Sequence, residues 1–188
     1  MRVSQNSLRQ FSRACLEILK IEWDNSYFDF LIKTTDVLIN DFQDKENGGF
    51  YFTSDNHEEL IYRPKSYMDE SLPSGNSIAI GALMELYELT GLTKYIEAVE
   101  NAINSAHDSL NRSNSSHSSL LLVAPRTDSS KRLIIIRCEE SNLSDNQNLI
   151  NKLDTLNDNI YFITNNITLK VDGLSDKKPE GNFTAYIC

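Results

Sequence analysis

The feature that most constrains the fold of this chain is an internal repeat of amphipathic helical pairs. The segment LEILKIEWDNSYFDF, which begins at Leu16, aligns without a gap with MELYELTGLTKYIEA, which begins at Met84. A helical hairpin cannot bury its apolar stripe alone. Repeated hairpins therefore stack on one another as a solenoid or close into a toroid.

The repeat makes a specific prediction about burial. Ile18 and Leu86 occupy equivalent positions and are both predicted to be buried, whereas Glu17 and Glu85 are both predicted to lie near the surface. Two hairpins are fewer than a closed toroid needs. We therefore expect one apolar flank of the helices to be exposed unless another chain covers it.

Apolar residues recur at helical spacing in four stretches, which form the two hairpins. Their approximate bounds are residues 8–23, 26–42, 74–91 and 93–110. Gly91 closes the third helix, because glycine readily adopts the left-handed conformation that ends many helices.

In the last third of the sequence, short apolar runs typical of strands replace the long helical pattern. The β-branched run at residues 133–136 and the run at residues 161–163 are typical of buried strands, and a helical pattern at residues 146–156 lies between them. This order predicts a β-α-β unit with two parallel strands. Residues 183–187 can add an edge strand.

The predicted fold class is therefore mainly α. A partial (α/α) toroid of helical hairpins occupies residues 1–112, and a small α/β (β-α-β) subdomain follows at residues 113–188. Residues 120–123 fit either a short helix or a further strand. With 188 residues and 40% hydrophobic content, the chain can bury a substantial core.

The net charge and the spacing of the cysteines exclude several classes of partner and activity. The formal net charge of −9, with no basic stripe, argues against nucleic acid or an anionic membrane as a partner. No apolar run approaches the ~20 residues that a membrane span needs. Cys15, Cys138 and Cys188 are widely spaced without a Cys-x-x-Cys motif, so we expect a reducing, cytoplasmic location and no dithiol redox activity.

A long loop between the two hairpins gathers most of the residues that could do chemistry. The Asn47-Gly48-Gly49 turn permits positive backbone dihedrals, and residues 50–53 then alternate aromatic bulk, which predicts a short strand. Residues 57–60 are predicted to form one helical turn. Residues 73–77, Pro-Ser-Gly-Asn-Ser, open the third helix, and such an N-terminus suits an anion or a polar ligand.

The loop resembles the signature of a known family. The stretch GGFYFTSDNHEELIYRPKSYMDESLPSGNS at residues 48–77 is similar to the thioredoxin-domain-containing, spermatogenesis-associated family, in which RPK, a following Asp and PSGNS recur in this order and spacing. The C-terminal run at residues 184–188, TAYIC, is also similar to that family.

The resemblance implies a fold and an activity. Members join an N-terminal thioredoxin-like domain to an (α/α)-barrel similar to N-acylglucosamine 2-epimerases and six-hairpin glycosidases. The thioredoxin-like domain and the earlier barrel hairpins are not in this sequence, so the resemblance implies the C-terminal portion of such a protein. No cofactor is expected.

The loop supplies the candidate site residues. Charged and aromatic residues on constrained backbone suit the recognition of sugar hydroxyls or phosphate. The candidate ligand-binding residues are Arg63, Lys65, Tyr67, Ser74 and Asn76, with Tyr62 or Tyr67 as a wall for a sugar ring. Asp69 is the candidate catalytic residue; its partner would come from Asp44, Glu46 or the absent hairpins, because adjacent carboxylates rarely have the required separation.

An alternative for these residues is an ion-pair network that pins the loop. In that case Arg63 is expected to pair with Asp69 or Glu70, and Lys65 to point to solvent. His57 lies beside two glutamates but lacks a second histidine at helical spacing, so no metal site is predicted.

Two functions from different classes remain open. The first is carbohydrate-related binding or processing of the epimerase or glycosidase kind, inactive alone, with a sugar or sugar phosphate as ligand. The alternative is a non-catalytic interaction domain whose partner is a thioredoxin-like domain or the other hairpins. Whether the chain is an enzyme is left open.

Overall fold

The protein is mainly helical across the residues that the computed structural model describes, 5–55, 62–124, 132–150 and 158–188. The helices are α1 (Gln5–Ile21), α2 (Asn25–Val37), α3 (Gly75–Thr90), α4 (Thr93–Arg112), α5 (Ser118–Val123), α6 (Leu143–Ile150) and α7 (Asp172–Ser175). A π-helical turn at Leu38–Phe42 extends α2, and 3-10 turns cover Asn114–His117 and Glu140–Asn142. The strands are β1 (Leu133–Cys138), β2 (Asn159–Thr164) and β3 (Phe183–Ile187).

The four predicted helices of the hairpins are present, and local chemistry explains their ends. The Asp24 carboxylate accepts a hydrogen bond of 2.6 Å from the Ser26 amide and caps α2. Ser74 caps α3, because its Oγ accepts a bond of 3.1 Å from the Ser77 amide. Gly91 ends α3 with a φ of 67°, as predicted. Helix α1 packs against α2, α3 against α4, and α1 against α3.

The burial predicted from the gap-free alignment is wrong. Leu86 is fully buried, but Ile18 exposes 45% of its surface. Glu17 lies at the surface, whereas Glu85 exposes only 4%. The two pairs therefore occupy unlike environments.

A shift of the alignment by one residue matches the burial of the two hairpins. Leu16 then corresponds to Leu83 and Leu19 to Leu86, and all four are buried. Helix α1 carries apolar side chains on two faces, and the face with Leu16 and Leu19 is the buried one. The sequence alignment had matched the wrong face.

Glu85 is buried because donors from two other elements surround its carboxylate. On α1, Arg13 Nη1 lies 2.8 Å from Oε2 and Lys20 Nζ lies 2.7 Å from Oε1. From β2, the Tyr161 hydroxyl donates a hydrogen bond of 2.6 Å to Oε1. A carboxylate removed from water is tolerated only when it is paired and hydrogen-bonded. This cluster ties α3 to both α1 and the sheet.

The exposed apolar flank expected for the hairpins is present on α1 and α2. Its side chains are between 41% and 69% exposed: Phe11, Ile18, Ile21, Tyr27, Phe30 and Val37. Isolated exposed apolar residues are normal, but such a set on two neighbouring helices is typical of an interaction surface. We refer to these residues as the α1–α2 flank.

The sheet follows the predicted β-α-β order. Strands β1 and β2 pair in parallel, β3 joins β1 antiparallel at the edge, and the order is β2-β1-β3. The connecting helix α6 begins at Leu143, three residues before the predicted start, and residues 151–157 lie outside the described part of the chain. Residues 120–123, for which helix or strand was open, lie in α5.

The short strand predicted at residues 50–53 is wrong. Only an isolated antiparallel bridge joins Gln43 to Phe50. The Asn76 side chain forms hydrogen bonds with both backbone groups of Phe50. Its Oδ1 accepts from the Phe50 amide at 2.8 Å, and its Nδ2 donates to the Phe50 carbonyl at 3.1 Å. These bonds replace a strand partner. The helical turn predicted at residues 57–60 lies outside the described residues.

One hydrophobic core connects the helices to the sheet. It includes Leu16 and Leu83 together with Ile135 and Tyr161. The boundary predicted at residues 112/113 coincides with the end of α4, and the division into two domains stays a prediction. Among the described helices, none combines the length and apolar character needed to cross a bilayer.

The shifted alignment can be tested by truncating two adjacent residues of α1, Ile18 and Leu19, to alanine. Leu19→Ala should cost about 2–5 kcal/mol of unfolding free energy, because it leaves a cavity in the core. Ile18→Ala should change it by no more than about 0.5 kcal/mol, since Ile18 is half-exposed. Urea denaturation measures both. Equal losses would contradict this register.

Candidate functional site

The loop between the hairpins closes on a buried carboxylate, Asp44, which exposes 5% of its surface. Asp44 Oδ1 accepts hydrogen bonds from the backbone amides of Glu46 at 3.1 Å and Asn47 at 2.9 Å. Its Oδ2 accepts from the Tyr51 hydroxyl at 2.6 Å and lies 2.8 Å from Lys65 Nζ. Asp44 therefore holds the turn that Asn47 begins.

The pKa values around Asp44 reflect this network. Burial alone raises the pKa of Asp44, but the hydrogen bonds from Lys65 and Tyr51 outweigh it, so the pKa lies well below its usual value. The hydrogen bond to Asp44 raises the pKa of Tyr51 to about 12. The carboxylate is therefore ionised and the phenol neutral at neutral pH. This arrangement holds the Asp44 charge in place.

The Tyr51 ring contacts both cations of the RPK motif. The Arg63 guanidinium carbon lies 4.1 Å from the ring centroid and Lys65 Nζ lies 5.4 Å from it. Arg63 also donates to the Thr53 carbonyl at 2.5 Å and pairs with Asp55. Both cations are thus bound within the loop.

Two further candidate residues support the loop from inside. Asn76 Nδ2 donates to the Ser66 carbonyl at 2.9 Å, in addition to its bonds with Phe50. Tyr67 is buried, and burial raises its pKa to about 12. A Cβ on Gly49, whose φ is 76°, would lie 1.9 Å from the Tyr67 hydroxyl, so the turn requires glycine here.

Asp69, the candidate catalytic residue, joins the caps of two helices. Its Oδ1 accepts from the Ser74 amide at 2.9 Å at the start of α3, and its Oδ2 accepts from the Ser119 amide at 2.8 Å in α5. The Ser118 hydroxyl adds a bond of 3.3 Å to Oδ2. Partial burial raises the pKa of Asp69, but the bonds from Ser119 and Ser74 outweigh this and lower it. A carboxyl held in its ionised form suits a cap better than a general acid.

The predicted pairings of the loop are not those that the structure shows. Arg63 pairs with Asp55 instead of Asp69 or Glu70, and Lys65 points to the buried Asp44 instead of solvent. The structure brings Lys65, Tyr67 and Asn76 to the same turn: Lys65 and Tyr67 donate to the Gly48 carbonyl at 2.6 and 3.5 Å, and Asn76 bonds to Phe50. Their role as ligand-binding residues, and the catalytic role of Asp69, stay predictions.

Arg9 lies on α1 against the N-terminus of α3 and was not among the predicted site residues. Arg9 exposes 1% of its surface, and its Nε, Nη1 and Nη2 have no hydrogen-bond partner among the described residues. The spacing of residues in α1 could have indicated that Arg9 is buried. Arg9 shares the buried stripe of α1 with Ser12 and Leu16, where a charged residue is unusual.

The histidines add no metal site in the described chain. His57 lies outside the described residues, and no cluster of potential metal ligands occurs among those that are described. His117 is buried, with Nε2 2.8 Å from the Ser109 hydroxyl and Nδ1 2.6 Å from the Ser113 carbonyl. His117 therefore ties the end of α4 to the turn that follows it.

No family model matches this chain, and no curated protein matches it. The family resemblance of residues 48–77 therefore stays a prediction from motif order and spacing.

The scaffold role of Asp69 predicts the effect of its conservative replacement. Asp69→Asn should cost about 1–3 kcal/mol of unfolding free energy, because the amide NH₂ would face an N–H donor at one of the two caps. The difference from wild type should shrink below pH ~4, since a lowered pKa gives stability that is lost as Asp69 protonates.

Urea denaturation across a pH series measures this effect. Glu70→Gln is the matched control, because Glu70 is adjacent and exposed, and it should change stability by at most about 0.5 kcal/mol. An Asp69→Asn protein as stable as the Glu70→Gln protein would contradict the scaffold role.

Proposed function

We propose that this chain is part of a carbohydrate-related binding or processing module of the (α/α)-toroid kind, and that it is inactive alone. The motif order of the 48–77 loop supports this proposal. So does the stacking of two helical hairpins, α1–α2 and α3–α4, with the loop folded onto the start of α3. A sugar or sugar phosphate is the proposed ligand.

The observation that carries the carbohydrate proposal is the exposed ring of Tyr62. It exposes 74% of its surface and directly precedes Arg63, whose guanidinium is fixed over Tyr51. Proteins often bind sugars with an aromatic face next to fixed polar groups, because the aromatic ring packs against the apolar C–H groups of the sugar. Tyr67 is buried and cannot supply this face.

Incompleteness of the module is supported by the α1–α2 flank. Apolar side chains of this size, exposed on two packed helices, are typical of surfaces that another chain covers. In the proposed toroid, a further helical hairpin covers the α1–α2 flank.

The three cysteines support the cytoplasmic location that we propose. Cys15, Cys138 and Cys188 are all free, as is usual in a reducing compartment.

A second function is a non-catalytic interaction domain that docks other hairpins or a thioredoxin-like domain. The internal use of Lys65, Asp69 and Asn76 favours it, because side chains bound within a scaffold are not free to bind a substrate. The two proposals share the α1–α2 flank. They differ in whether the loop binds a sugar.

Saturation-transfer NMR with monosaccharides and sugar phosphates separates the two functions. Under the carbohydrate proposal, at least one sugar receives transfer from the protein, and Tyr62→Ala abolishes it. Tyr27→Ala is the matched control, because Tyr27 is a half-exposed tyrosine on α2, and it should leave the transfer unchanged. An absence of transfer for every sugar would overturn the carbohydrate proposal and leave the interaction domain.

A further inference from the structure

Among the described residues, Arg9 is a buried cation without a counter-charge. It exposes 1% of its surface, and none of its three guanidinium nitrogens has a hydrogen-bond partner in the part of the chain that the structure describes. Burial lowers its pKa to about 9. Burying an unpaired charge is among the least favourable arrangements in a protein. A missing anion would explain why this position holds arginine.

The guanidinium lies directly against the start of α3. A Cβ built on Gly75, the first residue of α3, would lie 1.1 Å from Arg9 Nη1. The side-chain space of Gly75 is therefore filled by Arg9, and any other residue would displace the guanidinium. The ring of Phe52 lies 5.7 Å from the guanidinium carbon and gives the site an aromatic wall.

The electrostatics at this helix end favour an anion. The amide of Ser77 is bonded to the Ser74 hydroxyl, and the amide of Ile78 to the Ser74 carbonyl. Across the described chain, the amides of Gly75 and Asn76 have no acceptor. A cation beside the positive end of a 16-residue helix is unfavourable alone. The Asp69 carboxylate at this helix end accepts from the preceding Ser74 amide. A further anion that contacts both Arg9 and the free amides would make both interactions favourable.

We propose that Arg9 and the first turn of α3 form a binding site for an oxyanion, the phosphate or carboxylate group of a small-molecule ligand. The planar guanidinium binds such groups through two parallel N–H bonds. Free amides at a helix N-terminus supply further donors. The site goes beyond the proposed function, because it requires no sugar.

Thermal unfolding in phosphate and in acetate tests the site and separates the two kinds of anion. Each series is compared with sodium chloride at the same ionic strength. A ligand that binds only the folded protein raises Tm in proportion to the logarithm of its concentration once the site is saturated. We expect this rise in the wild-type chain with phosphate, with acetate or with both. No rise with either anion overturns the proposal.

Variants locate the response. Arg9→Met should abolish the anion-dependent rise in Tm, and in chloride it should be at least as stable as wild type, because an unpaired buried charge is removed. Arg13→Gln is the matched control: Arg13 lies one turn further along α1, is paired with Glu17 and Glu85, and its loss should leave the anion response intact.

Arg9→Lys keeps the positive charge but lacks the planar guanidinium group. It tests the anion site if Arg9→Met does not fold. We expect its anion affinity, measured by isothermal titration calorimetry, to be at least about tenfold weaker than that of wild type. An unchanged anion affinity in Arg9→Lys, or an anion response retained in Arg9→Met, would contradict the site.

Discussion

The buried carboxylate of Glu85 is the interaction on which the arrangement of this fold depends. It receives Arg13 and Lys20 from α1 and the Tyr161 hydroxyl from β2, at 2.6 to 2.8 Å. An unpaired carboxylate at this depth would be strongly unfavourable, so α1, α3 and the sheet must assemble together. Apolar packing drives the assembly, and Glu85 selects which faces of the three elements meet.

The same principle shapes the loop between the hairpins. Asp44 gathers Lys65, Tyr51 and two backbone amides, and Asp69 joins the start of α3 to α5. In the described part of the loop, residues 43–55 and 62–74, these carboxylates hold the backbone in place of regular secondary structure. Tyr62 at the surface and Arg9 at the start of α3 lie outside these two networks.

Much of the fold could be predicted from the sequence, because periodicity and end signals are local. The helices of the hairpins, the Gly91 end of α3 and the parallel pair of strands are examples. Predictions of which side chains are buried failed where the burial depends on partners from distant elements. Ile18 looked equivalent to Leu86 because α1 is apolar on two faces, and Glu85 looked exposed because its partners come from α1 and β2. Likewise, the Asn76 side chain replaces the strand pairing expected at Phe50.

A comparison of Glu85→Gln with Glu17→Gln tests the central claim most directly. Both glutamates contact Arg13 and Lys20, but Glu17 is half-exposed and Glu85 is buried. By urea denaturation, Glu85→Gln should lose about 1.5–3 kcal/mol, the range for hydrogen bonds to a charged group, because the cations that remain, Arg13 and Lys20, can reach solvent. Glu17→Gln should lose at most about 1 kcal/mol. A Glu85→Gln protein as stable as the Glu17→Gln protein would contradict the account.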